Sequence, residues 1–105
     1  MKHLTANGVD FAYLDEGTGP LVVLLHGFPD TAHTWDRTMT ELARAGFRAV
    51  APFMRGYAPT ALAPDGAYDT DTLATDALAI IDALGENKPA VLVGQFDVQI
   101  VGGVL

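Results

Sequence analysis

The sequence predicts an α/β fold: a mostly parallel sheet whose first two strands form an antiparallel pair. Three observations carry this. Alternating apolar and polar residues flank Asn7-Gly8, three short apolar runs follow at 21–25, 47–51 and 89–93, and two stretches of helical spacing separate those runs. Period-two alternation at the front implies a hairpin, and the strand–helix–strand alternation behind it implies right-handed crossovers between parallel strands.

Residues 2–6 and 9–15 are the hairpin strands, because Asn-Gly readily takes the positive φ values of a two-residue turn. After the turn EGTGP, the run LVVLL at 21–25 reads as a strand covered on both faces. From Trp35 to Ala45 the apolar positions Trp35, Met39, Leu42 and Ala43 have helical spacing, and Gly46 is a C-cap candidate. Phe47–Ala51 is the next strand. Residues 52–68, rich in proline, glycine and alanine, read as a long surface loop. Between Asp69 or Thr70 and Leu84, an apolar face of Leu73, Ala77, Leu78, Ile80, Ile81 and Leu84 predicts a second helix. Asp69 and Asp71 suit its positive N-terminus. Pro89–Val93 is the last buried-type strand. The tail QFDVQIVGGVL leans toward extended structure, since Phe96, Val98 and Ile100 alternate and Gly102-Gly103 weakens a helix.

Composition narrows the function. The chain has 105 residues, enough for one domain, 1–105, with half of them hydrophobic and 18% charged. A net charge of −7 argues against a nucleic-acid partner, because nothing could neutralise a run of phosphates. The absence of cysteine excludes thiol nucleophiles and thiolate zinc sites. No apolar run reaches the roughly 18 residues of a membrane span, and the N-terminus shows no leader pattern. A cytoplasmic protein without a membrane partner is expected.

Ligands of open parallel sheets gather at the carboxyl ends of the strands. The residues there are His26-Gly27-Phe28-Pro29-Asp30, Arg55-Gly56-Tyr57 and Gly94-Gln95-Phe96-Asp97. In order, HGFPDTAHTWD, AVAPFMRGY and VLVG make the chain resemble the N-terminal half of an α/β-hydrolase, most closely the epoxide hydrolase and haloalkane dehalogenase-like branch. The resemblance runs from about residue 10 to Gly94. It implies a truncated form of that three-layer fold, with residues 95–105 a divergent tail.

The resemblance also implies roles. His26, Gly27 and Phe28 match the oxyanion loop, where the Phe28 N–H would help hold a developing oxyanion. Gly94 matches the first glycine of the nucleophile elbow, but Phe96 stands where the nucleophile is expected and Val98 where the second glycine is. Asp97 is the only side chain nearby that could attack, and no histidine follows His33 to complete a triad. The catalytic candidates are therefore His26, Phe28 and Asp97. Candidate substrate contacts are Gly27, Trp35, Arg55 and Tyr57. Structural alternatives accompany them: His26 as a hydrogen-bonded loop histidine, Trp35 as core, Arg55 as a brace for its loop, and Asp97 as a polar tail residue.

The spacing of His26, Asp30 and His33, with Asp36 three residues further on, also allows a metal site, in which bound zinc or manganese would activate water. Asp30 or Thr31 could equally cap the following helix. Three functions follow as expectations. The first is a hydrolase of ester-type substrates without a complete triad and without a required cofactor. The second is a metal-dependent hydrolase of phosphate esters, and the third a non-catalytic fragment that self-associates. An apolar edge at Val91–Val93, unsheltered in a half-domain, predicts a homodimer joined by the last strand or by residues 96–105.

Overall fold

The computed structural model of the chain describes residues 1–26, 31–60, 70–84, 90–96 and 99–104. Six strands form one sheet: β1 (Lys2–Ala6), β2 (Val9–Glu16), β3 (Leu21–Leu25), β4 (Arg48–Pro52), β5 (Val91–Phe96) and β6 (Gln99–Val104). Their spatial order is β1-β2-β4-β3-β5-β6. A 3₁₀ turn, Ala32–Trp35, leads into helix α1 (Asp36–Arg44), and helix α2 (Thr70–Ala83) precedes β5.

The α/β class and the antiparallel N-terminal pair are as expected. Ala6 faces Val9 across the turn, and Asn7 and Gly8 both have positive φ, at 50° and 76°. β3 lies between β4 and β5 and is parallel to both, as two crossovers require. The sheet as a whole is mixed. β2 pairs antiparallel with β4, and β6 folds back antiparallel on β5, with Gly94 opposite Val101.

β6 also corrects the expected edge. β5 is flanked by β3 on one side and β6 on the other, so Val91–Val93 is not an unsheltered edge and β6 is the terminal strand. The tail is extended from Gln99 to Val104, as its period-two pattern suggests, and its first partner is its own chain.

The continuous apolar run of β3 is explained by layers on both faces. Val22 and Leu24 pack with Ala32, Trp35 and Met39 on the α1 side. Leu21, Val23 and Leu25 pack with Ala77 and the partly buried Leu73, Ile81 and Leu84 on the α2 side. Phe11 and Val9 extend that second layer onto Ile80. Burying one such side chain fully is worth about 2 kcal/mol. Leu78, expected on the apolar face of α2, is instead 56% exposed. One residue advances a helix by about 100°, which carries position 78 off the stripe formed by 73, 76, 77, 80 and 84.

The turn before β3 is held by close backbone approach. Gly17 and Gly19 have φ of 88° and 128°. A Cβ on Gly17 would run into the carbonyl oxygen of Phe47, and one on Gly19 into that of Gly46. Beside this turn, Arg48 Nε and Nη2 donate to the two oxygens of Asp15 at 3.1 and 2.9 Å, and Lys2 Nζ donates at 2.9 Å. Burial alone would raise the Asp15 carboxyl; the hydrogen bonds and charges of Arg48 and Lys2 outweigh it and hold the group below its ordinary value.

The segment after β4 is not a surface loop in its described part. Phe53, Met54, Arg55 and Thr60 are buried. Phe53 N–H donates to Ala12 O at 2.9 Å. The Thr60 hydroxyl donates to Phe53 O at 2.6 Å and accepts from Ala12 N–H at 3.0 Å. Arg55, 1% exposed, meets Asp76, fully buried on α2: Nε to Oδ2 at 2.5 Å and Nη2 to Oδ1 at 2.9 Å. Asn7 Nδ2 donates to the same carboxylate at 2.8 Å.

Breaking one side of a buried pair leaves a charge stranded in low dielectric, which typically costs about 3–5 kcal/mol. Asp76→Ala is therefore expected to lower unfolding stability by about that much in urea titration. The double replacement Arg55→Met with Asp76→Leu should recover most of the loss. Equal stability of Asp76→Ala and the unaltered chain would contradict this account.

Candidate functional site at the carboxyl edge of the sheet

β3 and β4 end side by side, so His26 and the residues after Pro52 share one edge of the sheet. His26 is buried there. Its Nε2 accepts the Met54 N–H at 3.0 Å, which places the proton of a neutral ring on Nδ1. The Tyr57 ring meets the imidazole edge-on, with centroids 4.6 Å apart and planes at 82°. Tyr57 N–H in turn bonds Met54 O at 3.0 Å, closing a turn that brings the ring back over His26. His26 thus braces the two loops together.

The sequence candidates separate on this geometry. Arg55, expected to contact substrate or to brace its loop, is the brace: its guanidinium points inward to Asp76. Trp35 belongs to the core under β3, 8% exposed, packed with Met39, Ala49 and Phe53, and its Nε1 has no partner among the described residues. His33 lies on the 3₁₀ turn with its Nδ1 3.1 Å from Asp36 Oδ2, and Thr31 caps that turn by accepting the His33 N–H at 3.3 Å. Gly27, Phe28, Asp30 and Asp97 lie outside the described residues.

Of the expected metal ligands, the two described histidines are engaged elsewhere. His26 Nε2 is occupied by the Met54 amide and His33 Nδ1 by Asp36. Among the described residues, no three histidine, aspartate or glutamate side chains converge on one point. Nor does an elbow form at Gly94. The strand continues through Gly94 and Gln95 to Phe96, and Phe96 pairs with Gln99. A nucleophile elbow needs a sharp strand-to-helix turn, whereas this strand is followed by a second strand.

One buried polar residue escaped the sequence reading. Asp76 carried a signal, since it is an aspartate on the apolar stripe of α2, three residues after Leu73 and four before Ile80. Asp36, which the sequence offers as a metal ligand beside His33, instead pairs with the His33 ring at the i, i+3 spacing at which helical side chains meet.

These features define an α/β-hydrolase scaffold. The alpha/beta hydrolase fold family matches residues 20–95, and the chain belongs to that family. An epoxide hydrolase of Caballeronia sordidicola is 42% identical over 92 residues, covering 87% of this chain and 28% of the relative. The AB hydrolase superfamily protein YfhM of Bacillus subtilis is 40% identical over 95 residues, covering 87% of this chain and 33% of the relative. The crystal structure of epoxide hydrolase VrEH1 from Vigna radiata superposes with a TM-score of 0.83 at 34% identity, over 90% of this chain and 31% of that one. The chain thus spans about three-tenths of the length of these relatives. No described helix is long and apolar enough to cross a membrane.

The His26–Met54 bond is testable. His26→Leu should cost about 1–3 kcal/mol, because it leaves the buried Met54 N–H without an acceptor. His26→Gln, which keeps an acceptor oxygen, should recover part of that. Urea unfolding of the two variants measures the difference, and identical midpoints for Leu and Gln would refute the acceptor role.

Proposed function

We propose that this chain carries the oxyanion-loop half of an epoxide-hydrolase-like hydrolase. Its substrates are small uncharged electrophiles, epoxides or carboxyl esters, held at the carboxyl edge of β3 and β4. Its own hydrolysis of them is slow and independent of metal. The observation that carries this is the pairing of an intact His26–Met54–Tyr57 edge with a β5 that runs straight through Gly94 to Phe96. The first keeps the family's loop framework. The second carries Phe96, which cannot attack, where the family places its nucleophile.

Without that nucleophile, the His26–Met54–Tyr57 edge contributes by holding the substrate and stabilising charge on its oxygen. A single oxyanion donor is worth about 10²–10³ in rate in a complete site. In an open site the effect shrinks, because solvent competes for the same oxygen. Hydrolysis of an activated ester about tenfold above buffer is expected, unchanged by EDTA or added zinc or manganese. Loss with EDTA and recovery with one metal would overturn the reading in favour of a metal-activated water.

Self-association is a second part of the proposal. β1, at one end of the sheet, carries Lys2 and His3, charges of the kind that discourage edge pairing. β6, at the other end, has the sequence QIVGGV with neither charge nor proline. Antiparallel pairing of β6 with β6 of a second copy would make a two-fold dimer. Light scattering at micromolar concentration should give twice the monomer mass, and Ile100→Lys should return it to monomer. A monomeric unaltered chain would rule the dimer out.

A further inference from the structure

We propose that His33 and Asp36 form a general-base dyad that activates water toward small activated esters. This deepens the ester-hydrolysis reading above and rests on it. His33 Nδ1 lies 3.2 and 3.1 Å from the two oxygens of the Asp36 carboxylate. An ionised carboxylate only accepts, so Nδ1 carries a proton, and in the neutral ring Nε2 holds the lone pair. That is the base-and-orienter half of a hydrolytic triad, recognised by geometry and not by position in the chain.

The ring is held on two further sides. Phe53 meets it edge-on at 5.5 Å between centroids and 73° between planes. The His33 N–H is tied to the Thr31 hydroxyl at the start of the 3₁₀ turn. Phe53 follows directly on β4 and is itself buried, so the dyad stands over the carboxyl edge where β3 and β4 end. Both dyad side chains are more than half exposed, at 58% and 62%, so water and a small ester reach them directly.

The other two histidines make the contrast. His26 is buried with its Nε2 accepting from the Met54 amide, which leaves that atom no role as a base. His3 lies 3.5 Å from Asp10 on the N-terminal hairpin, separated from β3 by β2 and β4. No described residue occupies His33 Nε2.

In the proposed step, Nε2 takes a proton from water as the water oxygen bonds to the ester carbonyl carbon. The carbonyl electron pair moves onto its oxygen. When that pair returns, the carbon–alkoxide bond breaks and the departing alcohol takes the proton back from Nε2. No oxidant, metal or second substrate is consumed.

The test is hydrolysis of ethyl dichloroacetate by the whole chain, since its alkoxide leaving group favours base-activated water over direct attack by imidazole. General bases in enclosed sites contribute about 10²–10⁴-fold, so an open dyad is expected to supply about tenfold over buffer. His33→Ala should lose that increment, and added imidazole should restore more of it in His33→Ala than in the unaltered chain. Asp36→Asn should lose most of it, with circular dichroism unchanged for both variants. His3→Ala should keep it, and the rate should fall in D₂O. Hydrolysis that survives His33→Ala, or falls equally with His3→Ala, would overturn the dyad while leaving the ester-hydrolase reading standing. A rate unchanged in D₂O would overturn the base role. No hydrolysis above buffer would overturn both.

Discussion

The buried pair between Arg55 and Asp76 is the contact on which the arrangement of this chain depends. It joins three pieces distant in sequence: the loop after β4, helix α2, and, through Asn7, the β1–β2 turn. Taking both charges out of water costs several kcal/mol each, and the mutual attraction repays this only when geometry is good and the remaining polar atoms are satisfied. Two contacts from Arg55 and a third bond from Asn7 meet that condition at the carboxylate. The pair thereby selects one docking of α2 on the sheet, because any shift along the apolar layer would strand a charge.

That selection reaches the carboxyl edge. Arg55 cannot meet Asp76 unless the chain turns inward after Pro52, and the same inward turn places the Met54 N–H against His26 and the Tyr57 ring over it. Thr60 fastens the far end of the turn to β2. The contacts of His26 at the end of β3 are thus set by a charge pair on the opposite side of the sheet from α1. Only the covering of both sheet faces makes such a pair possible.

The edge then divides its histidines by environment. His26, enclosed and accepting an amide hydrogen, has become a structural acceptor. His33, on a short turn with its side chain more than half exposed, faces a carboxylate three residues on. Where the family places a nucleophile, β5 carries on as a strand to Phe96, and β6 pairs antiparallel along it.

The sequence by itself determined the local elements, because each rests on the periodicity of neighbouring residues. The Asn7-Gly8 hairpin, the doubly covered β3, the Gly46 stop of α1 and the stripe of α2 are all visible within windows of a few residues. So is the extended character of the tail. Only the tertiary structure decided what those elements do to one another. Asp76 stands out on an apolar stripe, yet its partner lies 21 residues earlier and its second donor 69 residues earlier, and no local pattern names either. The shelter of β5 by β6, the inward course of residues 53–55 and the acceptor role of His26 have the same origin. Each is a non-local pairing, and such pairings exist only once burial has made unsatisfied polar groups costly enough to choose among them.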